Sequence, residues 1–144
     1  MQTIKTEIDI TAPPEKVWGI STDVDKWHEW SPTINASAGD VSVGSSVSIT
    51  MMSKEAGKDG PKYQPKIIRL DEPKYFQWRA HMMASFIFTN DKIFELEKTA
   101  SGTRVIHSET FKGIMAALMK GKMEEGVPPM LNTMNEALKE ISER

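Results

Sequence analysis

Residues 3–11 alternate. Ile4, Ile8 and Ile10 fall on one face and Lys5, Glu7 and Asp9 on the other, the period of a strand with one buried side. Thr11-Ala12-Pro13-Pro14-Glu15 then opens a helix, because proline suits a first turn and an early acid favours a helix N-terminus. Val17, Trp18 and Ser21 mark its buried side. A second short helix carries Val24, Trp27 and Trp30, with Asp23 placed to cap it and Pro32 to end it.

From residue 33 to 111 the period is that of strands, punctuated by turns at Ala38-Gly39-Asp40 and Val43-Gly44-Ser45. Val47, Ile49 and Met51 alternate with polar residues. Lys54 to Pro61 is a polar hairpin tip. Residues 63–70 form a strand, and Asp71-Glu72-Pro73-Lys74 turns the chain. Phe76, Trp78, Ala80 and Met82 share a face, while Arg79 and His81 point to solvent. Phe86 and Phe88 continue that face, in phase with Phe94 and Leu96. After a turn over Thr99–Gly102, Val105, His107, Glu109 and Phe111 alternate with Arg104, Ile106, Ser108 and Thr110. Six such strands with short connections read as an antiparallel meander.

At Gly113 the period becomes helical. Met115, Met119, Met123, Val127, Met130, Met134, Leu138 and Ile141 recur at steps of three or four, one apolar stripe. Pro128 and Pro129 interrupt it, and a proline costs ~3 kcal/mol inside a helix. The stripe keeps its phase, so a kink or break is expected over Glu125–Pro129. Asn135 to Glu140 reads as an exposed face with spaced opposite charges. An antiparallel sheet with one apolar face must be covered. At ~1.5 Å per residue the last helix reaches about 40 Å, enough to do so. The expectation is one α+β domain over 1–144. In it a curved antiparallel sheet of about seven strands wraps a long C-terminal helix, with two short helices after the first strand.

Composition narrows the chemistry. With 18 basic and 20 acidic residues the net charge is −2, which gives no attraction for nucleic acid or an anionic membrane. The absence of cysteine excludes disulfides and thiolate chemistry. His28, His81 and His107 have no metal-ligand spacing, and no metal or cofactor is expected. Residues 1–10 lack the apolar core of a signal peptide, and no apolar run suits a membrane span. A cytoplasmic monomer or weak homodimer is the expectation.

Several segments resemble the START-like, or helix-grip (SRPBCC), superfamily in its polyketide cyclase/dehydrase-type branch. They are Ile10-Thr11-Ala12-Pro13-Pro14-Glu15-Lys16-Val17-Trp18, Thr22-Asp23-Val24-Asp25-Lys26-Trp27 with Trp30-Ser31-Pro32, Leu70-Asp71-Glu72-Pro73 with Trp78, and Phe94-Glu95-Leu96. Gly102-Thr103-Arg104-Val105, His107-Ser108-Glu109-Thr110-Phe111-Lys112-Gly113 and Met134-Asn135-Glu136-Ala137-Leu138-Lys139 complete the pattern. The resemblance spans nearly the whole chain and implies a helix-grip fold with an internal cavity. It fixes activity less well, since the superfamily holds lipid carriers, cyclases, hydroxylase domains and chaperone activators. Two places depart from it. Lys92 stands where this branch often has a histidine before Phe-Glu-Leu, and Pro128-Pro129 replace ordinary helix formers.

Within that fold, the residues expected to line an apolar cavity are Trp30, Phe76, Trp78, Met82, Phe86, Phe88, Phe94, Phe111, Met119, Met123, Met130 and Met134. Methionine adapts to varied apolar ligands, and aromatic rings bury large areas. Trp18 and Trp27 are expected to plug one end, with His28 and Glu29 in solvent. His107 and Glu109 face inward beside Lys92. That trio can be a structural ion pair, a means of orienting a ligand, or a general acid and base. The leading function is binding of a hydrophobic, lipid-like or aromatic polyketide-like molecule. Alternatives are a cyclase/dehydratase using His107 and Glu109, and a chaperone-activator-like protein-binding module. The last needs an exposed apolar patch, which the sequence does not lead one to expect.

Overall fold

The computed structural model describes residues 1–55 and 58–144. Its strands are β1 (Gln2–Ile10), β2 (Ile34–Ala38), β3 (Ser48–Met52), β4 (Asp59–Tyr63), β5 (Lys66–Asp71), β6 (Tyr75–His81), β7 (Thr89–Lys98) and β8 (Thr103–Lys112). Its helices are α1 (Pro14–Ser21), α2 (Trp27–Trp30), α3 (Ile114–Leu118) and α4 (Lys120–Ser142), with a 3-10 turn over Val24–Lys26.

All pairing among the strands is antiparallel. One sheet has the order β1-β8-β7-β6-β5 and the other β2-β3-β4. Among the described residues there are therefore eight strands, close to the expected seven, divided between two sheets. The seam is narrow: a bridge pairs Ser46 with Lys66, and the Val47 amide donates to the Pro65 carbonyl at 3.0 Å. β4 takes Asp59, Gly60 and Pro61 out of the expected hairpin tip. The middle of that tip, residues 56–57, lies outside the described residues.

Register and alternation together place whole rows of side chains on the inner face. One row reads Ile4, Glu109, Lys92, Trp78 and Ile67 across five strands. The next reads Thr6, His107, Phe94, Phe76 and Leu70. On the other side of the first lie Phe111, Asn90 and Ala80. On the outer face Arg79 is half-buried rather than free, because Nε donates to Oδ1 of the buried Asp91 at 2.8 Å.

α1 buries Val17, Trp18 and Ser21 as its pattern implies. Trp27 is fully buried, and its Nε1 donates to the Ser21 carbonyl at 3.2 Å. Asp23 makes no side-chain cap, since the short turn after it is not an α-helix. His28 and Glu29 are exposed.

The C-terminal helix breaks at Met119 (φ −102°, ψ 12°), not at the prolines. Pro128 and Pro129 sit inside a continuous α4 of 23 residues. The carbonyls they leave without amide donors are those of Glu124 and Glu125, on exposed residues where water can satisfy them. Gly113 precedes α3 at φ 107°, and a Cβ there would collide with the Ile87 carbonyl.

Two expected surfaces are reversed. Asn135 is buried, because it follows Leu131 by four and precedes Leu138 by three on the face α4 presents to the sheet. Conversely, Met82 and Phe86, expected inside, are exposed, as are Met83, Ile114 and Leu118, for which no interior place is expected. The loop after β6 and helix α3 meet there: the Ile114 amide donates to the Phe86 carbonyl at 3.2 Å and the Met115 amide to that of Ile87 at 2.9 Å. Together they form an exposed apolar patch. No helix among the described residues is long and apolar enough to cross a membrane.

Candidate functional site

The polar groups of the inner face come from neighbouring strands. Lys92 on β7 and Glu109 on β8 are direct cross-strand partners, and their charged groups lie 4.0 Å apart. Both are buried. His107, two residues from Glu109, is on the same face and is wholly buried. Its ring stacks on Phe94 at 4.2 Å between centroids.

Hydrogen-bond roles around His107 follow without free choice. The Thr6 hydroxyl lies 2.8 Å from the His107 carbonyl, which can only accept, so Thr6 donates there. Thr6 Oγ1 then accepts from Asn135 Nδ2 at 2.8 Å. Asn135 Oδ1 therefore faces His107 Nδ1 at 2.7 Å, and Nδ1 carries the proton. Nε2 is left to accept from the Lys92 ammonium at 2.7 Å. His107 is thus a neutral imidazole with both nitrogens engaged. Burial, and next the Lys92 ammonium, hold its pKa well below the ordinary value of 6.5. Burial also lowers the pKa of Lys92, while Glu109 opposes that shift. The chain Lys92–His107–Asn135–Thr6 ties β7, β8, α4 and β1 together. Asn135, its link to the helix, carried its signal in the spacing to Leu131 and Leu138.

Glu109 is differently placed. One oxygen faces Lys92; Oε2 is buried and has no hydrogen-bond partner among the described residues. Glu109 lines a cavity of about 240 Å³, with Met51, Pro61 and Tyr63 from the small sheet, Ala80, Met82, Phe88, Asn90 and Phe111 from the large one, and Val127 and Met130 from α4. The Tyr63 hydroxyl donates only to Met51 Sδ, at 3.2 Å. Burial and then the Glu109 carboxylate push its pKa up, so it keeps its proton.

Of the residues expected to line a cavity, Met82, Phe88, Glu109, Phe111 and Met130 meet there. Phe76, Trp78, Phe94 and Met134 belong to the main core instead, and Met123 to a smaller cluster with Ile4, Phe111, Ala116 and Leu131. Trp30 packs edge-on against Trp27 at 6.5 Å, against the main core, and does not line the cavity. His107 and Lys92 lie in the adjoining layer without lining the cavity.

Besides the exposed Met82, which still borders the cavity, two of the expected residues are on the surface. Phe86 is 67% exposed because the chain leaves β6 at His81, and Met83 at φ 67° ends the alternation. Met119 is 37% exposed because it occupies the break between α3 and α4, whose phases differ. Six lining residues were missed: Met51, Pro61, Tyr63, Ala80, Asn90 and Val127. Ala80 and Asn90, a small and a polar residue facing each other within apolar alternation, were the available signal.

An eight-stranded antiparallel framework closed by a C-terminal helix, with an apolar cavity beneath that helix, defines a helix-grip protein. Residues 1–143 match the family of polyketide cyclase / dehydrase and lipid transport proteins, and the chain belongs to that family. No curated protein matches it. Among solved structures it is similar to a protein of Chromobacterium violaceum, with 13% identity, TM-score 0.77, and 100% of this chain and 99% of that one covered. It is also similar to StfQ, a di-domain aromatase/cyclase from the steffimycin biosynthetic pathway. There the identity is 10% and the TM-score 0.78, over 98% of this chain and 50% of that one. Ara h 8.0201 matches at 16% identity and TM-score 0.66, over 95% of this chain and 97% of that one. At such identities the likeness shows the fold alone.

Proposed function

We propose that this protein binds an apolar small molecule, without covalent attachment, in the cavity between β3–β4, β6–β8 and α4. The observation that carries this reading is the cavity's lining: methionine, phenylalanine, valine, proline and alanine side chains, with Tyr63, Asn90 and Glu109 as the few polar ones. Such a site supplies affinity through apolar burial, at ~25 cal/mol per Å², and orientation through a few polar groups. A family description that includes lipid transport, and a structural relative described as an aromatase/cyclase, both fit an apolar ligand.

The test is titration with the fluorescent probe N-phenylnaphthylamine. Ala80→Leu extends a side chain into the cavity and is expected to weaken binding at least tenfold while the protein stays folded. Met119→Trp adds bulk outside the cavity and is expected to leave affinity unchanged. Equal affinity in the wild type and Ala80→Leu would remove the cavity as the site.

A second reading, proton transfer on an enolisable substrate, draws on Glu109 as the carboxylate of that lining. In that reading Glu109 acts without His107, both of whose nitrogens are engaged by protein groups. Loss of turnover in Glu109→Gln with binding retained is the result that would favour it.

A further inference from the structure

The net charge of −2 conceals an uneven distribution, and the exposed apolar patch lies where it is most uneven. The patch is built by the loop over residues 82–88 and by the stretch from Lys112 through α3 to the start of α4. Residues 81–89 and 112–123 hold Lys112, Lys120, Lys122 and His81, and no acid. The three lysines are exposed, and none has an ion-pair partner among the described residues. Asp91 and Glu109, the acids beside these segments, are buried next to Arg79 and Lys92. Glu124 and Glu125 follow farther along α4.

The apolar side chains project into solvent from a backbone that is closed on itself. Met82, Met83, Phe86, Ile114 and Leu118 are 52–86% exposed. Ile114 and Leu118 stand four apart on α3 and share one face. The Ala84 carbonyl accepts from the Ile87 amide at 2.9 Å and the Phe88 amide at 3.2 Å, and the Phe88 carbonyl accepts from the Met82 amide at 3.1 Å. The Ser85 carbonyl accepts from the Thr89 hydroxyl at 2.8 Å. Backbone groups paired in this way enter an apolar layer without giving up hydrogen bonds to water. Lys112 borders the loop directly, since Thr89, the first residue of β7, pairs with His81 on one side and Lys112 on the other.

Charge decides what covers the patch. A second copy of this chain would set the lysines of one protomer against those of the other. An anionic lipid surface supplies both things the patch lacks, hydrocarbon for its side chains and negative charge for its lysines. We propose that this patch docks the protein peripherally on an anionic lipid bilayer. The loop over 82–88 and α3 enter the headgroup boundary, with Lys112, Lys120 and Lys122 against the headgroups. Met82 belongs both to the patch and to the cavity lining, so the docked face is the one beside the cavity. Docking goes beyond the binding reading above and does not require the cavity to be filled.

The test is cosedimentation of the full chain with vesicles of phosphatidylcholine alone, and with vesicles of phosphatidylcholine and phosphatidylglycerol in equal parts, at physiological ionic strength. The protein is expected to bind the anionic vesicles about a hundredfold more tightly than the neutral ones, at about fivefold for each lysine. Phe86→Ser combined with Leu118→Ser is expected to weaken that binding at least about tenfold through lost apolar burial. Lys120→Glu combined with Lys122→Glu is expected to remove most of the preference for the anionic vesicles. All four positions are exposed, and urea unfolding checks that each double variant is folded. Failure of the wild type to sediment with the anionic vesicles overturns the proposal. So does equal binding to the two kinds of vesicle, or binding that Phe86→Ser with Leu118→Ser leaves unchanged. A dimer in sedimentation velocity that the same variant dissociates overturns it too, by giving the patch to a second copy. Because the vesicle comparison runs on the unaltered protein, a variant that fails to fold does not rescue the proposal. Affinity for N-phenylnaphthylamine is read separately, and its absence bears on the cavity alone.

Discussion

The end of the molecule around Trp27 and the end around Glu109 share one sheet and one helix, yet one is solid and the other hollow. Around Trp27 the rings of Phe76, Trp78 and Phe94 lie 5.1–6.4 Å from its own, at tilted or edge-on angles, and Met134 and Leu138 from α4 belong to the same cluster. Around Glu109 the row that should continue the packing is Phe111, Asn90 and Ala80. One of these has almost no side chain and one is polar. The helix above presents Val127 and Met130, beside the two prolines. The register of β1, β8, β7 and β6 does not change between the ends, while β5 shifts by one residue between Ile67 and Arg69. Side-chain volume at a few positions decides whether the space beneath the helix is core or cavity.

The sharpest way to break that comparison is to hollow the solid end. Trp27→Ala removes the ring against which the other three pack, and a cost of about 4 kcal/mol is expected from the loss of burial and the cavity left behind. The measurement is the urea midpoint of unfolding. Met130→Ala at the hollow end enlarges a space that already exists and is expected to cost less than half as much. Equal losses at the two sites would mean that the ends are packed alike.

A somewhat smaller effect probes the charges. Lys92→Met leaves Glu109 buried without its cation and is expected to cost about 3 kcal/mol. Adding Glu109→Leu to that variant removes the stranded charge and is expected to recover most of the loss or more. The measurement is a double-mutant cycle in urea. A double variant as unstable as the single one would show that the pair, not its surroundings, supplies stability.

Much of this was legible in the chain. Strand alternation placed Glu109, His107 and Phe111 on one inner face, and the stripe ending in Met134 and Leu138 marked the covering helix. Trp27 read as a plug, and it is fully buried. What alternation could not show was where an element stops being regular. Phe86 was in phase with Phe88 on paper, but the loop at Met83 carries it to the surface. Met119 was in the stripe, but the helix breaks there rather than at Pro128, because water can serve the carbonyls the prolines abandon. Tyr63 and Met51 reach the cavity from the second sheet, and no local pattern shows which face of one sheet looks onto another. Asn135 is a different kind of miss, since its spacing to Leu131 and Leu138 was there to be read.

His107, both of whose ring nitrogens are engaged within the protein, is probed through pH. In the folded protein its pKa lies well below 6.5, first through burial and then through Lys92. The unfolded chain takes up a proton near pH 6.5 that the folded chain refuses. Protons then bind preferentially to the unfolded state, so this stability is complete above that pH and declines below it. From pH 6.5 to 5.5 a loss of about 1 kcal/mol is expected from this residue. Urea unfolding across that range should show a steeper decline for the wild type than for His107→Gln. Parallel declines would mean that His107 accepts a proton within the fold.

The smallest effect is expected at Phe86, and it separates the cavity from the apolar patch beside it. Phe86 is an aromatic residue of the same chemical kind as Phe88, two positions away, but it is 67% exposed while Phe88 packs on Phe111 at 6.0 Å between ring centroids. Its backbone carbonyl, not its ring, holds the Ile114 amide, and a serine in its place keeps that carbonyl. Phe86→Ser is therefore expected to change stability by less than about 0.5 kcal/mol, the ordinary range for an exposed position. Affinity for N-phenylnaphthylamine should also be unaltered. Phe88→Ser is expected to lower both, because it opens the cavity wall and exposes Phe111. Met82 belongs to both the patch and the cavity lining, so a loss of probe affinity in Phe86→Ser would show that the bound probe extends past Met82 onto the patch.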